Sequence, residues 1–131
     1  IIVSMIDADN FKNVNDTYGH KTGDTLLQEF AALIKLHFPE DLIIRYGGEE
    51  FTVLSQRSAK TYLSALSTFM NAVRQTKFTL HKFNITCSVG VCVEDHSSFE
   101  LQLDIADARL YHAKNTGKDQ IILRDEKTIS E

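Results

Sequence analysis

The sequence predicts one domain of the α/β (α+β) class, in which helices flank a central sheet that contains antiparallel strand pairs. Strand-like and helix-like segments alternate in the order β, α, β, β, α, β, α, β, which is typical of the ferredoxin-like arrangement. A glycine pair between two strand-like runs indicates a hairpin, and therefore an antiparallel pair. The chain has 131 residues, 43% of them hydrophobic and 24% charged, which is typical of a single globular domain.

In the first half of the chain, the sequence clearly predicts two secondary-structure elements and leaves a third ambiguous. Residues 1–6 are apolar and β-branched, and they predict a buried strand that ends at Asp7. Residues 11–18 are polar and indicate a short helix or a turn. Apolar residues at helical spacing then predict an amphipathic helix over 22–38, which Pro39 ends because proline cannot continue the hydrogen-bond ladder.

The second half continues the alternation of strands and helices. Two short strands are predicted on either side of the glycine pair, followed by a second amphipathic helix, a strand-rich segment that folds back once, a third helix and a closing strand. Gly117 follows the third helix and is predicted to cap its C-terminus. These segments are, in order, 42–46, 51–54, 58–76, 78–93, 99–115 and 121–123.

Composition argues against several classes of protein. A net charge of −4 argues against a protein that binds duplex nucleic acid. Apolar runs long enough to span a membrane, and a signal peptide, are not found in the sequence. Cys87 and Cys92 lie an odd number of positions apart in one predicted strand, so we expect two reduced core thiols on opposite faces. Reduced thiols favour a cytoplasmic location, with an anchor elsewhere in a parent protein left open.

Two acidic pairs are candidates for binding a cation. Asp7 and Asp9 end the first strand, and residues two apart on a strand share a face. Glu49 and Glu50 lie at the glycine turn, which a central hairpin can bring beside that strand end. Taken alone, Asp-x-Asp is more often a turn or a cap, and Gly-Gly-Glu-Glu more often an exposed acidic turn. Converging carboxylates would repel one another, however, so a metal ion such as Mg²⁺ is their natural partner.

Four blocks of sequence, in the same order, resemble those of the GGDEF family of diguanylate cyclase domains. The first block is DADNFKNVND (7–16), which Gly19-His20 and Gly23-Asp24 continue. The second is RYGGEEF (45–51), with Glu in the third signature place, where the family has Asp or Glu. The last two are SVGV (88–91) and ADARLYHAKNTGK (106–118). The resemblance implies a nucleotidyl-cyclase palm-like sheet flanked by helices, in agreement with the class predicted above.

The resemblance also implies a metal centre. In the family, the positions of Asp7, the backbone carbonyl of Ala8, Glu49 and Glu50 bind Mg²⁺ or Mn²⁺, two ions in each active half-site. The position of Glu49 is also the proposed acceptor of the proton from the attacking hydroxyl. The catalytic residues implied are therefore Glu49, Glu50 and Lys12, the last of them a cation expected at the triphosphate.

A binding site for GTP is implied by further matching positions. The positions of Asn15 and Asp24 read the guanine edge, with His20 nearby, although a histidine at a helix start is as often a simple surface residue. Lys114 and Lys118 are the cations expected at the phosphates, whereas a lysine without such a match is usually a solvated surface charge. The substrate-binding residues implied are Asn15, His20, Asp24, Lys114, Lys118, Gly47 and Gly48.

The activity implied is that of a diguanylate cyclase, a nucleotidyltransferase that condenses two GTP molecules into cyclic di-GMP. Each domain holds one GTP, so two half-sites must face each other in a homodimer. A catalytically silent GTP-binding regulatory module is the alternative, and the intact acids Asp7, Glu49 and Glu50 favour the enzyme. No contact with nucleic acid or with a membrane is expected for this domain.

The sequence departs from the family pattern at a few positions. Many members carry an inhibitory product site, Arg-x-x-Asp, before the hairpin; here Phe38 replaces the arginine while Asp41 is present, so weak or absent product inhibition is expected. Lys118 stands where the family often has arginine, and Asp119 where it usually has asparagine. The family's leading helix has no counterpart. We therefore expect residues 1–131 to be a GGDEF domain without its N-terminal helix, preceded in the parent protein by a sensory or dimerising domain.

Overall fold

The computed structural model describes residues 1–78 and 83–125. Strands and helices follow one another as the sequence predicts, with two consecutive helices after the first strand. In the part of the chain that the structure describes, no helix combines the length and apolar character that a membrane crossing requires. The elements are β1 (Ile2–Ala8), α1 (Phe11–Tyr18), α2 (His20–His37), β2 (Leu42–Tyr46), β3 (Glu50–Ser55), α3 (Ala59–Gln75), β4 (Cys87–Cys92), α4 (Phe99–Asn115) and β5 (Ile121–Ile122).

The five strands form one sheet in the order β2-β3-β1-β4-β5. β1 lies at the centre and pairs antiparallel with both β3 and β4, whereas β4 and β5 are parallel. In this register Asp7 lies opposite Glu50 on one side and Ser88 on the other. The predicted fold class is confirmed, and the C-terminal end of β1 is brought beside the turn of the β2–β3 hairpin.

Differences from the predicted elements are small and have local causes. The ambiguous segment 11–18 is helical, and α2 begins directly after it because Gly19, with φ +93°, breaks the helix between them. Gly117, with φ +121°, follows the C-cap residue Thr116. In the segment 78–93, Phe78 bridges Phe83 antiparallel before β4 begins, and residues 79–82 of that predicted reversal lie outside the described residues.

The sheet separates two hydrophobic clusters, and the alternation of β1 side chains sets which residue joins which. Ile2 and Ile6 belong to the larger cluster, with α2 and α3, and Val3 and Met5 to the smaller one beneath α4. The two thiols are confirmed as free and buried, one in each cluster: Cys87 in the larger, Cys92 in the smaller.

Helix α4 is fastened to the end of β4 by a buried arginine. Arg109 is 5% exposed, and its Nη1 donates to the carbonyl of Val91 at 2.8 Å. It also donates to both carboxylate oxygens of Glu94, at 2.9 and 2.8 Å, and Asp125 lies 3.4 Å from its Nε. Because a bidentate pair fixes both distance and orientation, it holds α4, and the residues that α4 carries, against the sheet.

The Glu94–Arg109 pair should make stability depend on pH. The hydrogen bonds from Arg109 lower the pKa of Glu94 to about 2, well below the usual value of a glutamate. Because the pKa of Glu94 is lower in the folded than in the unfolded state, the ion pair stabilises the fold at pH values above the unfolded-state pKa. This contribution is present above about pH 5 and is lost as the pH falls towards 2. We expect Glu94→Gln to lower the free energy of unfolding by about 1 kcal/mol at neutral pH, a figure reduced for solvent screening.

Urea unfolding of the wild type and Glu94→Gln between acidic and neutral pH tests this expectation. The two curves should converge at the acidic end. Glu40→Gln, at an exposed position, controls for the loss of one negative charge. A difference between wild type and Glu94→Gln that stayed constant over the whole range would contradict the role given to the ion pair.

Candidate functional site

Asp7 lies one residue before the end of β1, and its largely enclosed carboxylate is influenced by the negative charges of Glu49 and Glu50 and by the positive charge of Lys114. Its side chain is 14% exposed, and Oδ2 lies 3.5 Å from the ammonium of Lys114. Oδ1 is buried and has no hydrogen-bond partner among residues 1–78 and 83–125. Burial raises the pKa of Asp7 to about 7; Lys114 opposes the rise, and the carboxylates of Glu49 and Glu50 add to it. A carboxylate in these surroundings suits a cation ligand, because a nearby cation favours its charged form.

The hairpin turn is held by an arginine of β2. Gly47 has φ +70°, and the side chain of Arg45 donates to the carbonyl of Gly48 from Nε at 2.9 Å and from Nη2 at 2.6 Å. The sequence placed both glutamates in the turn, but Glu50 is the first residue of β3, opposite Asp7. Burial, followed by the charges of Asp107 and Glu49, raises the pKa of Glu50.

Six predicted site residues line one cavity of about 290 Å³ at the end of β1. They come from four parts of the chain: the end of β1, α1, the hairpin turn, and α4 with the turn after it. Glu50 lines a different cavity, of about 430 Å³, on the α4 side. The six residues are Asp7, Ala8, Lys12, Glu49, Lys114 and Lys118.

The donor set of this cavity fits a hard cation only in part. Within the described ranges, no three acidic, histidine or cysteine side chains are grouped closely enough to hold a metal ion by themselves. Asp7 nevertheless has a buried oxygen without a described partner. Ala8, whose carbonyl accepts from the ammonium of Lys114 at 3.2 Å, lines the same cavity. Mg²⁺ keeps water and phosphate oxygens among its ligands, so a few protein oxygens are enough.

Lysines surround the cavity as the resemblance implies. Lys114 is partly buried, with its ammonium 2.8 Å from Oδ1 of Asp9. Lys118 donates to Oδ1 of Asn10 at 2.9 Å, and Lys12 is exposed on α1. Because all three line the cavity that Asp7 and Glu49 share, an anion that enters it meets several ammonium groups.

Asp9 has a different structural role from Asp7, and the sequence did not predict this role. The two carboxylates do share a side, since Lys114 contacts both. Asp9, however, is 1% exposed, and both of its oxygens accept hydrogen bonds from protein groups, which include Thr86 and Ser88 at 2.6 Å each. Burial alone would raise the pKa of Asp9, but the hydrogen bonds from Lys114, Ser88 and Thr86 hold it below its usual value. The spacing of the two aspartates contains no signal for this division.

The residues expected at guanine lie on α1 and α2. Oδ1 of Asn15 is buried without a described partner, and it faces Gly23, where an added Cβ would lie 1.8 Å away. Asp24 follows Gly23 and is exposed, as is His20 at the first residue of α2. An unpaired buried acceptor suits the N–H groups of a guanine edge. The structure thus sets Asn15 beside the residue before Asp24, and the role of His20 stays a prediction.

The segment aligned with the family's product site is part of the core. Phe38 is fully buried, with ring centroids 5.5 Å from Tyr62 and 5.6 Å from Phe69. Burying such a ring contributes about 2–3 kcal/mol to stability. The side chain of Asp41 is 2% exposed and pairs with Arg57 at 2.5 Å. Neither side chain is available to a ligand in this conformation.

Comparison with known proteins gives consistent results. A family model described as "Diguanylate cyclase, GGDEF domain" matches residues 1–120. Diguanylate cyclase A of Treponema denticola is 38% identical over 127 residues, which cover 92% of this chain and 34% of that protein. The chain therefore spans about a third of the length of this curated relative.

Solved structures show the same fold. Diguanylate cyclase SiaD of Pseudomonas aeruginosa, solved with its activator SiaC, superposes with a TM-score of 0.86 at 34% identity, over 94% of this chain and 49% of that one. The active GGEEF domain of a diguanylate cyclase from Vibrio cholerae also gives 0.86, at 26% identity, over 95% of this chain and 83% of that one. The latter shares by name the Gly-Gly-Glu-Glu-Phe found here at 47–51.

Proposed function

The chain belongs to the GGDEF family of diguanylate cyclase domains, and we therefore propose that it condenses two molecules of GTP into cyclic di-GMP and pyrophosphate. The observation that carries the proposal is the single cavity that Asp7 and Glu49 share with Lys12, Lys114 and Lys118. Acidic oxygens for a cation and ammonium groups for phosphates are what a nucleoside triphosphate site needs.

Metal ions are part of this proposal. Cyclases of the family are generally metal-dependent, and the oxygen donors here suit Mg²⁺ or Mn²⁺. We assign two ions to each half-site, held by Asp7, the carbonyl of Ala8, Glu49 and Glu50. Bound there, they would polarise the α-phosphate and stabilise the departing pyrophosphate.

The chain's own groups would do the remaining work. Lys12, Lys114 and Lys118 would neutralise phosphate charge, while Gly47 and Gly48 leave the turn open to the nucleotide, since no described atom lies within 4 Å of a Cβ built on either. Asn15 and Asp24, with His20 near them, would orient guanine. Glu49, in the hairpin turn, would take the proton from the attacking 3′-hydroxyl or hold the metal ion that activates this hydroxyl.

Catalysis should require a homodimer. Each GTP supplies a 3′-hydroxyl to the α-phosphorus of the other, so two half-sites must face each other across a two-fold axis. Sensory or dimerising segments N-terminal to this domain would bring the two copies together. This proposal is supported by the length of the Treponema relative, of which the chain spans 34%.

Turnover measured against protein concentration tests the proposal. The chain is mixed with GTP and Mg²⁺, and cyclic di-GMP is quantified by chromatography. We expect a rate per molecule that rises with concentration until the dimer is saturated. A full-length dimer that binds GTP but makes no product would instead support the alternative, a catalytically silent regulatory module.

Gly23→Ala should weaken recognition of guanine through Asn15. The added methyl would lie 1.8 Å from Oδ1 of Asn15, so that side chain must rotate away, at small cost because it is flexible. We expect KM for GTP to rise about 10-fold with kcat nearly unchanged, as for an interaction made equally in the ground and transition states. Steady-state kinetics on Gly23→Ala, Asn15→Ala and the double variant provide the measurement. The double variant should match Asn15→Ala, and a normal KM in Gly23→Ala would contradict the assignment.

Product inhibition should be weak or absent. Phe38 lies in the core and Asp41 is paired with Arg57, so the Arg-x-x-Asp site of other members has no counterpart that can hold cyclic di-GMP. The initial rate should stay constant as cyclic di-GMP is added to the assay. Submicromolar binding in a calorimeter, abolished by Asp41→Ala, would show that this expectation is wrong.

A further inference from the structure

Asp9 is the most highly connected carboxylate near the candidate site. Oδ1 accepts from Ser88 at 2.6 Å and from Lys114 at 2.8 Å. Oδ2 accepts from Thr86 at 2.6 Å and from the backbone N–H of Asp119 at 3.0 Å. Its own N–H donates to the carbonyl of Thr86 at 2.9 Å. With a side chain 1% exposed and both oxygens occupied, Asp9 has little capacity left for an ion.

Asp9 accepts hydrogen bonds from Lys114 and from the turn that contains Lys118, two of the cations assigned to the phosphates. Lys114 comes from α4, and its ammonium reaches Asp9 and the carbonyl of Ala8. The turn after α4 contains Lys118 and Asp119, both at positive φ, +60° and +50°. Non-glycine residues enter that region at a cost, so the turn needs an external restraint. The hydrogen bond from the Asp119 N–H to Asp9 is one such restraint.

We propose that Asp9 is a positioning residue, which aims Lys114 and the Lys118 turn at the triphosphate, and that it is not a metal ligand. The inference rests on the proposed function, since it concerns the phosphate cations of that site. It assigns different work to the two aspartates of Asp-Ala-Asp. Asp7 lines the cavity and keeps a buried oxygen without a described partner, whereas the carboxylate of Asp9 binds α4 and the turn after it to β1.

Ser88 and Thr86 give Asp9 its fixed orientation. Ser88 is fully buried on β4, and Thr86 precedes that strand. Two hydroxyl donors, one on each oxygen, fix the plane of the carboxylate, so Lys114 meets an acceptor in one position. A pre-oriented ammonium binds phosphate with less loss of side-chain entropy than a mobile one.

A double-mutant cycle on binding of a non-hydrolysable GTP analogue tests the proposal without turnover. Asp9→Asn keeps the shape but removes the charge, and we expect the Kd to rise roughly 10- to 100-fold. Lys114→Met should cause a loss of similar size. If Asp9 acts mainly through Lys114, Asp9→Asn will weaken binding much less in the Lys114→Met background than in wild type, and the remaining loss will reflect the Lys118 turn. Losses that simply add would overturn the proposal.

Titration with Mn²⁺ separates positioning from metal ligation. We expect the half-saturating Mn²⁺ concentration of Asp9→Asn to stay within about 2-fold of wild type, while that of Asp7→Asn rises by more than about 10-fold. A large rise in Asp9→Asn would make Asp9 a ligand and overturn the proposal. Asp41→Asn is the matched control, because Asp41 is equally buried and paired with a cation but lies in a different part of the fold.

Milder variants can test the same proposal if Asp9→Asn does not fold. Thr86→Val and Ser88→Ala each remove one donor to the carboxylate. Each should raise the Kd for the analogue about 3- to 10-fold in the wild-type background, and by less in Lys114→Met. An unchanged Kd in both single variants would overturn the proposal.

A readout that needs no nucleotide distinguishes failure of this inference from failure of the proposed function. In wild type the Lys114 ammonium contacts three oxygens, so its protons should exchange slowly in a nitrogen-15 spectrum. That signal should vanish in Asp9→Asn and persist in Asp41→Asn. A wild type that gave the protected signal but bound no GTP would refute the substrate and leave the positioning role supported. Protection that survived in Asp9→Asn would refute the positioning role.

Discussion

Replacing Asp7 with asparagine is expected to reduce cyclic di-GMP synthesis about 1,000-fold or more, the scale associated with loss of a group that stabilises transition-state charge. Asp7 supplies a buried oxygen without a protein partner in the described chain, and its carboxylate lies opposite Glu50 in the sheet register. Asparagine keeps the shape but is a poor ligand for Mg²⁺, which prefers charged oxygens. The loss should therefore fall on catalysis and on metal affinity, and not on folding.

Two measurements check the Asp7 prediction. Initial rates at saturating GTP should show the loss, while thermal unfolding should show a melting temperature no lower than that of wild type, because a buried carboxylate close to two other acids is removed. Adding Mn²⁺ with a GTP analogue should raise the melting temperature of wild type and not of Asp7→Asn. Asp104→Asn, an exposed aspartate of α4, controls for the charge change. Asp7→Asn with more than about a tenth of wild-type activity would contradict the assigned role.

Replacing Gly90 with alanine is expected to have the largest effect on stability. Gly90 lies opposite Met5 in the sheet, directly beneath α4. A Cβ there would lie 2.1 Å from the carbonyl oxygen of Ala106 and 2.2 Å from the backbone nitrogen of Leu110. Backbone atoms of a packed helix cannot rotate away, so α4 must shift as a whole. We expect a loss of about 3 kcal/mol, the upper part of the range for overpacking.

Thermal and urea unfolding measure the Gly90 effect. A loss of that size lowers the melting temperature of a domain of this length by about 10 °C. Gly48→Ala is the control, since no described atom lies within 4 Å of an added Cβ and its φ is not positive. Because α4 carries Lys114, Gly90→Ala should also weaken nucleotide binding where it remains folded. A Gly90→Ala domain as stable as wild type would show that α4 does not need this close approach.

Most of the fold could be predicted from local pattern. Helical spacing of apolar residues located α2, α3 and α4 to within a few residues, and the glycine pair located the hairpin. The least certain segment was 11–18, because its short polar sequence resembles both a turn and a helix. It is helical in the structure, and its one buried residue is Val14. Such a helix depends on packing against α2 more than on its own propensity.

The candidate site could be predicted as a set of residues, but not as an arrangement. The motif order identified the acids and lysines, and five of them, together with Ala8, line one cavity. The sequence could not show that Glu50 belongs to β3 and lines a separate cavity, because the register of a hairpin depends on its pairing partner. It also could not show that Asp41 is held by Arg57, because a contact between residues so far apart leaves no local pattern.

Local sequence by itself determined which segments become strands and helices, since the period of apolar residues and the placement of glycine and proline act over a few neighbours. It also determined the chemical inventory of the site. Only the tertiary structure decided how Asp7 and Asp9, two residues apart and chemically identical, divide their work. Asp7 lines the cavity and keeps a buried oxygen without a described partner, while Asp9 is enclosed by β4, α4 and the turn after it. Burial and hydrogen-bond partners come from distant parts of the chain, so they are set only when the elements pack.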